Sequence, residues 1–308
     1  MMNKITLLFP AIFFSCEVIA DSKYTYPSDH EIKPENNVAK IVSDGNKPEL
    51  ILKQKGTDNE SHVTFSQFNV GPDGLNINNK INASYIITEV ISDNISRLEG
   101  DIRVTHNPAH FFIINPNGIT IKNKFKISGT IHNHLITGRM KSEVDDWSDI
   151  WPGQFEHNGG KLIISGANRR GNFNNTTLIS SNIRMRKSKL YANNLQIETI
   201  LNRYDGYSRP PKITISKDTK IHTGLLTAEL TGVKFKNFGT ITGDLDFKTT
   251  DASIENRGTL TGGTGKITYR GNMSFNGKNN TKYNNSDVFR AVDDHSIFDT
   301  GLKTVSIE

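Results

Sequence analysis

From about Val63 onward, apolar and polar residues alternate over stretches of only a few residues each. The apolar pairs two positions apart are Ile119 with Ile121, Phe125 with Ile127, Leu162 with Ile164, Ile183 with Met185, Leu190 with Ala192, Leu195 with Ile197, and Ile213 with Ile215. A period of two predicts strands with one buried face, and the polar or glycine-containing residues between the pairs predict turns. No long segment has the period of a helix, so the sequence predicts an all-β fold.

A repeat narrows the choice among all-β folds. The segment from Asn237 to Gly243 recurs, shifted by 19 residues, as the segment from Asn256 to Gly262. A weaker similarity links Lys124–Ile131 with Lys234–Ile241. A period near 20 residues is typical of one coil of a parallel β-helix, whereas an immunoglobulin-like sandwich does not repeat its sequence in this way. Leucine-rich repeats share the period, but their leucine ladder is absent. We therefore predict a solenoid.

The first 20 residues have the layout of a secretory signal peptide. A short, positively charged start that includes Lys4 precedes an apolar run from Ile5 to Phe14. A cleavage site of the small-residue type follows and ends at Ala20. The alternatives are a buried N-terminal strand and a lipoprotein signal in which Cys16 is acylated. Because Cys16 is the only cysteine, cleavage after Ala20 leaves an exported chain without disulfides.

Composition and charge restrict the classes of partner. The 308 residues are 35% hydrophobic and 22% charged, which leaves a large uncharged polar share rich in Asn, Ser, Thr and Gly. The formal net charge is +5, but acidic and basic residues are interleaved along the sequence. No run of Lys and Arg is dense enough for a nucleic-acid-binding arm, so we expect no nucleic-acid partner.

Several segments, in a fixed order, carry a resemblance to a known family. They are Ser61–Gly71, Gly74–Asn79, Ile95–Gly100, Ala109–Ile119 with its Asn115-Pro116-Asn117-Gly118 motif, Leu135–Gly138 and Asn158–Gly166. Together they resemble the N-terminal secretion domain, or haemagglutination activity domain, of filamentous haemagglutinin-like two-partner-secretion exoproteins. The resemblance covers about residues 35 to 225. One departure is the absence, near residues 82 to 90, of an Asn-Pro-Asn-Leu segment that the family commonly carries.

The resemblance implies a right-handed parallel β-helix with an N-terminal cap. It also implies secretion through the periplasm and outer membrane by an outer-membrane β-barrel transporter with periplasmic recognition domains. We expect no cofactor. We expect an extracellular or cell-surface adhesin that contacts a host or bacterial surface. The expected divisions are a signal peptide (1–20), an N-terminal cap region (21–60), the two-partner-secretion domain (61–225), a short β-helix extension (226–277) and a poorly ordered tail (278–308).

The resemblance also suggests which residues the transporter recognises. They are Asn115, Pro116, Asn117, Gly118, Phe68, Asn69, Ser96 and Arg97. Physical chemistry offers an alternative for the Asn-Pro-Asn-Gly motif, because proline fixes φ while Asn and Gly tolerate a left-handed conformation. The motif could therefore simply turn a β-helix corner. For Phe68, a position in the core is favoured over a contact surface.

Other candidate sites have less support. His132 and His134 share a strand face, but with no third ligand at metal spacing they are interpreted as a solvated pair, and no metal site is predicted. Asp145, Asp146 and Asp149, near Trp147 and Trp151, are interpreted as a loop between coils whose tryptophans cover a coil edge.

Three classes of function are compared. A β-helical polysaccharide-degrading enzyme needs carboxylates that converge on one groove, and none recur at the coil spacing, so no catalytic residue is predicted. The principal alternative to an adhesin is the N-terminal part of a haemolysin or contact-dependent toxin exoprotein. Whether the chain is complete or the head of a longer exoprotein stays open.

Overall fold

The computed structural model describes residues 31–43, 47–142, 144, 146–201, 210–276, 281–285, 289–291 and 297–299. The predicted signal peptide, residues 1–20, and its Cys16 lie outside the described residues. Within the described part, the chain forms β-strands and one short 3-10 helix, and no helix is long and apolar enough to cross a membrane.

The strands before the helix are β1 (Glu31–Pro34), β2 (Ala39–Ser43), β3 (Pro48–Leu52), β4 (Glu60–Asn69), β5 (Leu75–Asn79), β6 (Tyr85–Val90), β7 (Ser96–Leu98), β8 (Asp101–His106), β9 (Ala109–Ile114), β10 (Ile119–Lys122), β11 (Lys126–Ser128), β12 (Thr130–Ile136) and β13 (Gly138–Met140). The 3-10 helix spans Pro152–Gln154. The strands after it are β14 (Phe155–His157), β15 (Leu162–Ser165), β16 (Asn174–Ile179), β17 (Asn182–Arg186), β18 (Lys189–Glu198), β19 (Lys212–Ile215), β20 (Lys220–Thr231), β21 (Lys234–Asn237), β22 (Thr240–Asn256), β23 (Thr259–Asn276), β24 (Thr281–Asn285), β25 (Phe289–Ala291) and β26 (Ile297–Asp299).

These strands stack into three parallel ladders, called here the first, second and third faces. The first face runs through β4, β6, β9, β12, β16, β18, β20, β22, β23 and β25. The second face runs through β7, β10, β15, β17, β19, β21, the ends of β22 and β23, and β26. The third face contains β3, β5, β8 and β11, and later the starts of β18, β20, β22 and β23, followed by β24. This arrangement confirms the predicted parallel β-helix.

The 19-residue repeat corresponds to one coil. Asn237 pairs with Asn256 on the second face, and Ile241 pairs with Leu260 on the third. The weaker similarity between Lys124–Ile131 and Lys234–Ile241 has no such meaning. In the segment Lys124–Ile131 the strand is β11, which lies on the third face. In the segment Lys234–Ile241 the matching residues form β21, which lies on the second face. Interpreting it as an echo of the coil is therefore wrong.

The core follows from the alternation. Inward side chains at one position of the first face stack from Val63 through Thr88, Ile113 and Leu135 to Leu178, and all of them are buried. One continuous apolar cluster extends in this way from Ile32 to Phe275. Because each coil packs mainly on its two neighbours, the core is a column rather than a sphere.

The N-terminal end of this column is closed by antiparallel strands. β1 pairs with β4, and β2 pairs with β3, which itself begins the third face. These pairings cover strand edges that are otherwise open to pairing with another chain. They confirm the predicted N-terminal cap, although residues 21–30 of the predicted cap region lie outside the described residues.

Three short strands come from the predicted C-terminal tail. β24, β25 and β26 each pair in parallel with β23 and so add to the solenoid. The remaining parts of 278–308 lie outside the described residues. For those remaining residues the poorly ordered tail stays a prediction. It does not extend to β24, β25 and β26, which are ordered as strands.

An insertion interrupts the coil between β12 and β15. β13 and β14 pair as an antiparallel hairpin, and Val144 and Trp147 between them pack on the outward side of the first face. A second apolar cluster forms there, consisting of Ile87, Phe112, Ile114, Ile136, Val144, Trp147, Phe155, Ile179 and Ile200. Trp147 is only 6% exposed and covers this sheet face, whereas Trp151 is 56% exposed. The predicted loop is confirmed for its described residues, whereas Asp145 lies outside them. The prediction that its tryptophans cover a coil edge is wrong.

Candidate recognition corner

The Asn-Pro-Asn-Gly motif turns the chain from β9 on the first face to β10 on the second. Asn115 is fully buried. Its side-chain amide donates to the carbonyl oxygen of Asn94 and to Oγ of Ser96, both at 2.9 Å, while its Oδ1 accepts from the backbone N–H of Asn117 at 2.9 Å. The side chain thus fastens this corner to the preceding coil and also shapes the turn itself.

Glycines allow the next coil to approach this corner closely. Gly118 has a φ of 128°, and a Cβ built there would lie 3.0 Å from the carbonyl oxygen of Lys161. A Cβ at Gly160 would lie 2.3 Å from the carbonyl oxygen of Pro116. A larger side chain at either position would separate the two coils, so the glycines serve the stacking of backbone on backbone.

The remaining predicted recognition residues lie on neighbouring coils of the same region. The backbone N–H of Arg97 donates to Oδ1 of Asn69 at 2.9 Å, and the Arg97 guanidinium lies 3.2 Å from the Glu99 carboxylate. Phe68 packs in the core against Phe65, with 5.0 Å between the ring centroids. The structure therefore brings the predicted residues together on successive coils.

Their exposure, however, differs from that of a typical binding surface. Six of the eight are buried, namely Phe68, Asn69, Ser96, Asn115, Pro116 and Gly118. Asn117 and Arg97 are the two that keep partial exposure. The folded corner can thus offer a partner only these two side chains, and the interpretation of the motif as a structural corner agrees with its geometry.

The histidines lie on the outward side of the first face, in a column with His110. The ring centroids of His110 and His132 are 6.5 Å apart, and those of His132 and His134 are 4.7 Å apart. Burial lowers the pKa of all three histidines. The pKa of His134 falls well below its usual value because of its burial first, and then because of repulsion from His132 and His110. The His134 ring stacks on Phe112 with 4.2 Å between the centroids. The interpretation as a solvated pair is therefore wrong for His134. Among the described residues, no group of three or more His, Cys, Asp or Glu could hold a metal ion.

Sequence reasoning missed a buried carboxyl on the same sheet. Glu198 is 5% exposed and lies in register with Glu229 on the next coil. Burial, together with the neighbouring Glu229 carboxylate, raises the pKa of Glu198 to about 7, against a smaller lowering by the side-chain hydrogen bond from Gln196. No sequence signal links the two glutamates, because they are 31 residues apart in a repeat that is otherwise near 20.

The three ladders, the antiparallel cap and the glycine-lined corner define the class of protein, a capped parallel β-helix. The particular family follows from the sequence: the model of the TPS secretion domain matches residues 28–304, and the chain belongs to this family. Such a domain is the module through which a two-partner-secretion exoprotein engages its outer-membrane transporter. The match extends well beyond residue 225, where the resemblance of the individual sequence segments ends.

One solved structure supports the fold. The secretion domain of filamentous haemagglutinin superposes with a TM-score of 0.51 at 18% identity, covering 88% of this chain and 97% of that one. The HMW1 secretion domain from Haemophilus influenzae has 13% identity and a TM-score of 0.35, covering 87% of this chain and 99% of that one. A search of curated proteins returned no match.

Proposed function

We propose that this chain is a non-enzymatic two-partner-secretion exoprotein, exported through the outer membrane by a partner β-barrel transporter whose periplasmic domains recognise it. The observation that carries the proposal is the match to the TPS secretion domain over residues 28–304. The proposal includes the predicted signal peptide and a destination outside the cell or on its surface.

We further propose that the transporter reads the Asn-Pro-Asn-Gly corner before the solenoid closes. In the folded protein Asn115 has its side-chain donors and acceptor occupied by the chain's own groups. In an unfolded chain these polar groups are available to a partner. A β-helix then grows coil by coil because each coil contacts its neighbours, and it needs no disulfide to do so.

The basic test is secretion with and without the partner transporter. Co-expression of both genes should place the protein in the culture medium or on the cell surface, and deletion of the transporter should retain it in the periplasm. Equal amounts outside the cell in both strains would contradict the proposal.

The chain offers a matched pair to separate recognition from folding. Asn237 is as fully buried as Asn115 and also holds a corner, donating to Oδ1 of Asn256 at 2.8 Å and accepting from the backbone N–H of Gly239 at 3.0 Å. Either Asn→Ala change leaves buried partners unsatisfied and should cost about 1–3 kcal/mol. We expect Asn115→Ala to reduce secretion far more than Asn237→Ala at similar stability. If both variants lose secretion in proportion to stability, the motif is only a corner.

The proposed role of the exported protein is adhesion. A solenoid presents long surfaces on which many weak contacts can add up, and the resemblance to haemagglutinins points to a cell surface as the target. The alternative, the head of a haemolysin or contact-dependent toxin exoprotein, would be favoured if the secreted protein lysed or inhibited target cells instead of adhering to them.

A further inference from the structure

Basic residues gather at one corner of the solenoid, where the second face turns into the third. The corner consists of four segments on consecutive coils, residues 122–126, 165–170, 186–189 and 216–220, and is called here the cationic ridge. Within these fully described segments there are ten basic side chains and one acidic one, Asp218. The ten are Lys122, Lys124, Lys126, Arg169, Arg170, Arg186, Lys187, Lys189, Lys217 and Lys220.

The folded chain holds these turns directly against one another. The guanidinium of Arg169 donates to the carbonyl oxygen of Lys124 at 3.4 Å, and the backbone N–H of Gly166 donates to the carbonyl oxygen of Arg186 at 3.3 Å. The backbone N–H of Lys220 donates to the carbonyl oxygen of Ser188 at 2.8 Å. Since stacked strands lie about 4.8 Å apart, the cations form a row about 14 Å long over the four coils.

Little negative charge from the protein itself balances this row. Lys122 lies 3.7 Å from the Glu99 carboxylate, at the end of the ridge. Within the part of the chain that the structure describes, none of the other nine forms an ion pair with a carboxylate. By contrast, Lys236, one coil beyond the ridge, pairs with Glu255 at 2.6 Å.

Two features of the ridge work against stability. Lys189 and Lys220 are both exposed and directly in register on adjacent strands, where like charges repel. Lys187 has a φ of 48°, a left-handed conformation that is costly for a side chain of this kind. The neighbouring coils place Asn123 and Gly166 in left-handed conformations at this turn, with φ of 45° and 82°. Those two residue types tolerate the conformation better than lysine does.

We infer that the cationic ridge binds a linear anionic polysaccharide. A convex row of cations at regular spacing suits an extended polyanion that lies along the solenoid axis, and such a ligand relieves the repulsion within the row. An exported protein meets anionic polysaccharides on cell surfaces. The inference gives the proposed surface ligand a chemical class and thus rests on the proposed adhesive function for its setting.

Binding is measured on the purified, folded protein, so its result is independent of transport. The probes are dextran sulfate and polygalacturonate, which separate sulfated from carboxylated ligands, with neutral dextran and an oligothymidylate as comparisons. We expect both polyanions to bind, with affinity that falls as salt screens the charges, and neutral dextran not to bind. The proposal is overturned if neither polyanion binds, if neutral dextran binds equally, or if the oligothymidylate binds through the ridge as tightly as the polysaccharides.

The decisive variant is the triple change Lys187→Gln, Lys189→Gln and Lys220→Gln. Its control is Lys53→Gln, Lys80→Gln and Lys266→Gln, which removes the same charge from exposed lysines elsewhere. The ridge variant should lose affinity at least about tenfold, or about 1.4 kcal/mol, and the control only a fraction of that. Equal losses of affinity in the two variants would mean that only the net charge of the protein matters, and would rule out the ridge as a binding site.

The melting temperature, measured beside binding, separates a binding role of Lys187 from a structural one. Because Lys187→Asn removes one cation and also relieves a left-handed lysine, this single variant should bind more weakly yet melt at the same or a higher temperature. Weaker binding together with a lower melting temperature would show that the lysine serves the fold, which contradicts the inference.

Discussion

The outward side of the first face changes character half-way along the solenoid. In the coils of β9, β12 and β16, one stacked position holds Ile114, Ile136 and Ile179, and the hairpin insertion covers them. In the coils of β18, β20 and β22, the same position holds Glu198, Glu229 and Lys248. The parallel pairing continues through both regions. The inward residues therefore determine the path of the β-helix, and the outward residues determine whether the sheet face is covered by the insertion or left uncovered.

Glu198 marks the boundary between the two regions. It follows Ile179 in the stack and is itself buried, with Ile200 of the covering cluster two residues further along the chain. A carboxyl thus occupies a site whose surroundings still suit an apolar side chain. We therefore expect large losses of stability for changes under the insertion, a pH-dependent change in stability at Glu198, and small changes for residues beyond it.

The largest effect is expected for Trp147→Ala. Trp147 packs edge-to-face on Phe112 with 5.1 Å between centroids and lies 5.8 Å from the His62 ring. Removing a buried tryptophan should lower the free energy of unfolding by about 3–5 kcal/mol, measured by urea denaturation. Trp151→Ala is the control, since that exposed side chain should matter by less than about 1 kcal/mol. Similar losses in the two variants would mean that the insertion does not stabilise the face it covers.

At the boundary, Glu198→Gln should change how stability depends on pH. The folded pKa of Glu198 is about 7, above that of an unfolded glutamate, so the folded state prefers the protonated form. Its ionisation penalty is absent at acid pH, develops as pH rises from the unfolded pKa, and is complete above about pH 7. The variant should therefore be more stable than the parent at pH 8, by on the order of 2 kcal/mol, and similar to it at pH 4.

Urea denaturation over this pH range measures the difference. Gln196→Ala serves as a companion variant, because it removes the hydrogen bond that opposes the rise in the pKa of Glu198 and should steepen the dependence. A parent protein whose stability does not fall between pH 4 and pH 8 relative to Glu198→Gln would show that the carboxyl is better solvated than its burial indicates.

Much of the fold was predictable because the inward positions carry it. The alternation at Ile119 and Ile121 and the repeat of Asn237 at Asn256 report directly on strand faces and coil length. The Asn-Pro-Asn-Gly motif likewise reports a corner, because its turn chemistry is local. For these features the physical cause lies within a few residues, or within a single repeat length, and can be read from the sequence.

What was missed depends on contacts between coils of unequal length. The segment of residues 137–161 lengthens one coil and gives no period that says on which side it folds, so Trp147 could not be placed. Lys189 and Lys220 are likewise far apart in a sequence with interleaved charges, and become neighbours only through the register of β18 and β20. Glu198 and Glu229 meet for the same reason. Where coils differ in length, the side chains that stack on each other can be predicted only once the register of the strands is known.

The smallest effect is expected beyond the boundary, for Glu229→Gln. Glu229 contributes to the raised pKa of Glu198 as the second cause after burial, while its own side chain is 57% exposed and 3.5 Å from Nζ of Lys248. Removing its charge should lower the pKa of Glu198 only part of the way, and raise stability at pH 8 by less than about 1 kcal/mol. An NMR titration of Glu198 in parent and variant measures this. Full restoration of an ordinary glutamate pKa would mean that repulsion rather than burial governs the boundary, and the contrast between covered and uncovered coils would then lose its cause.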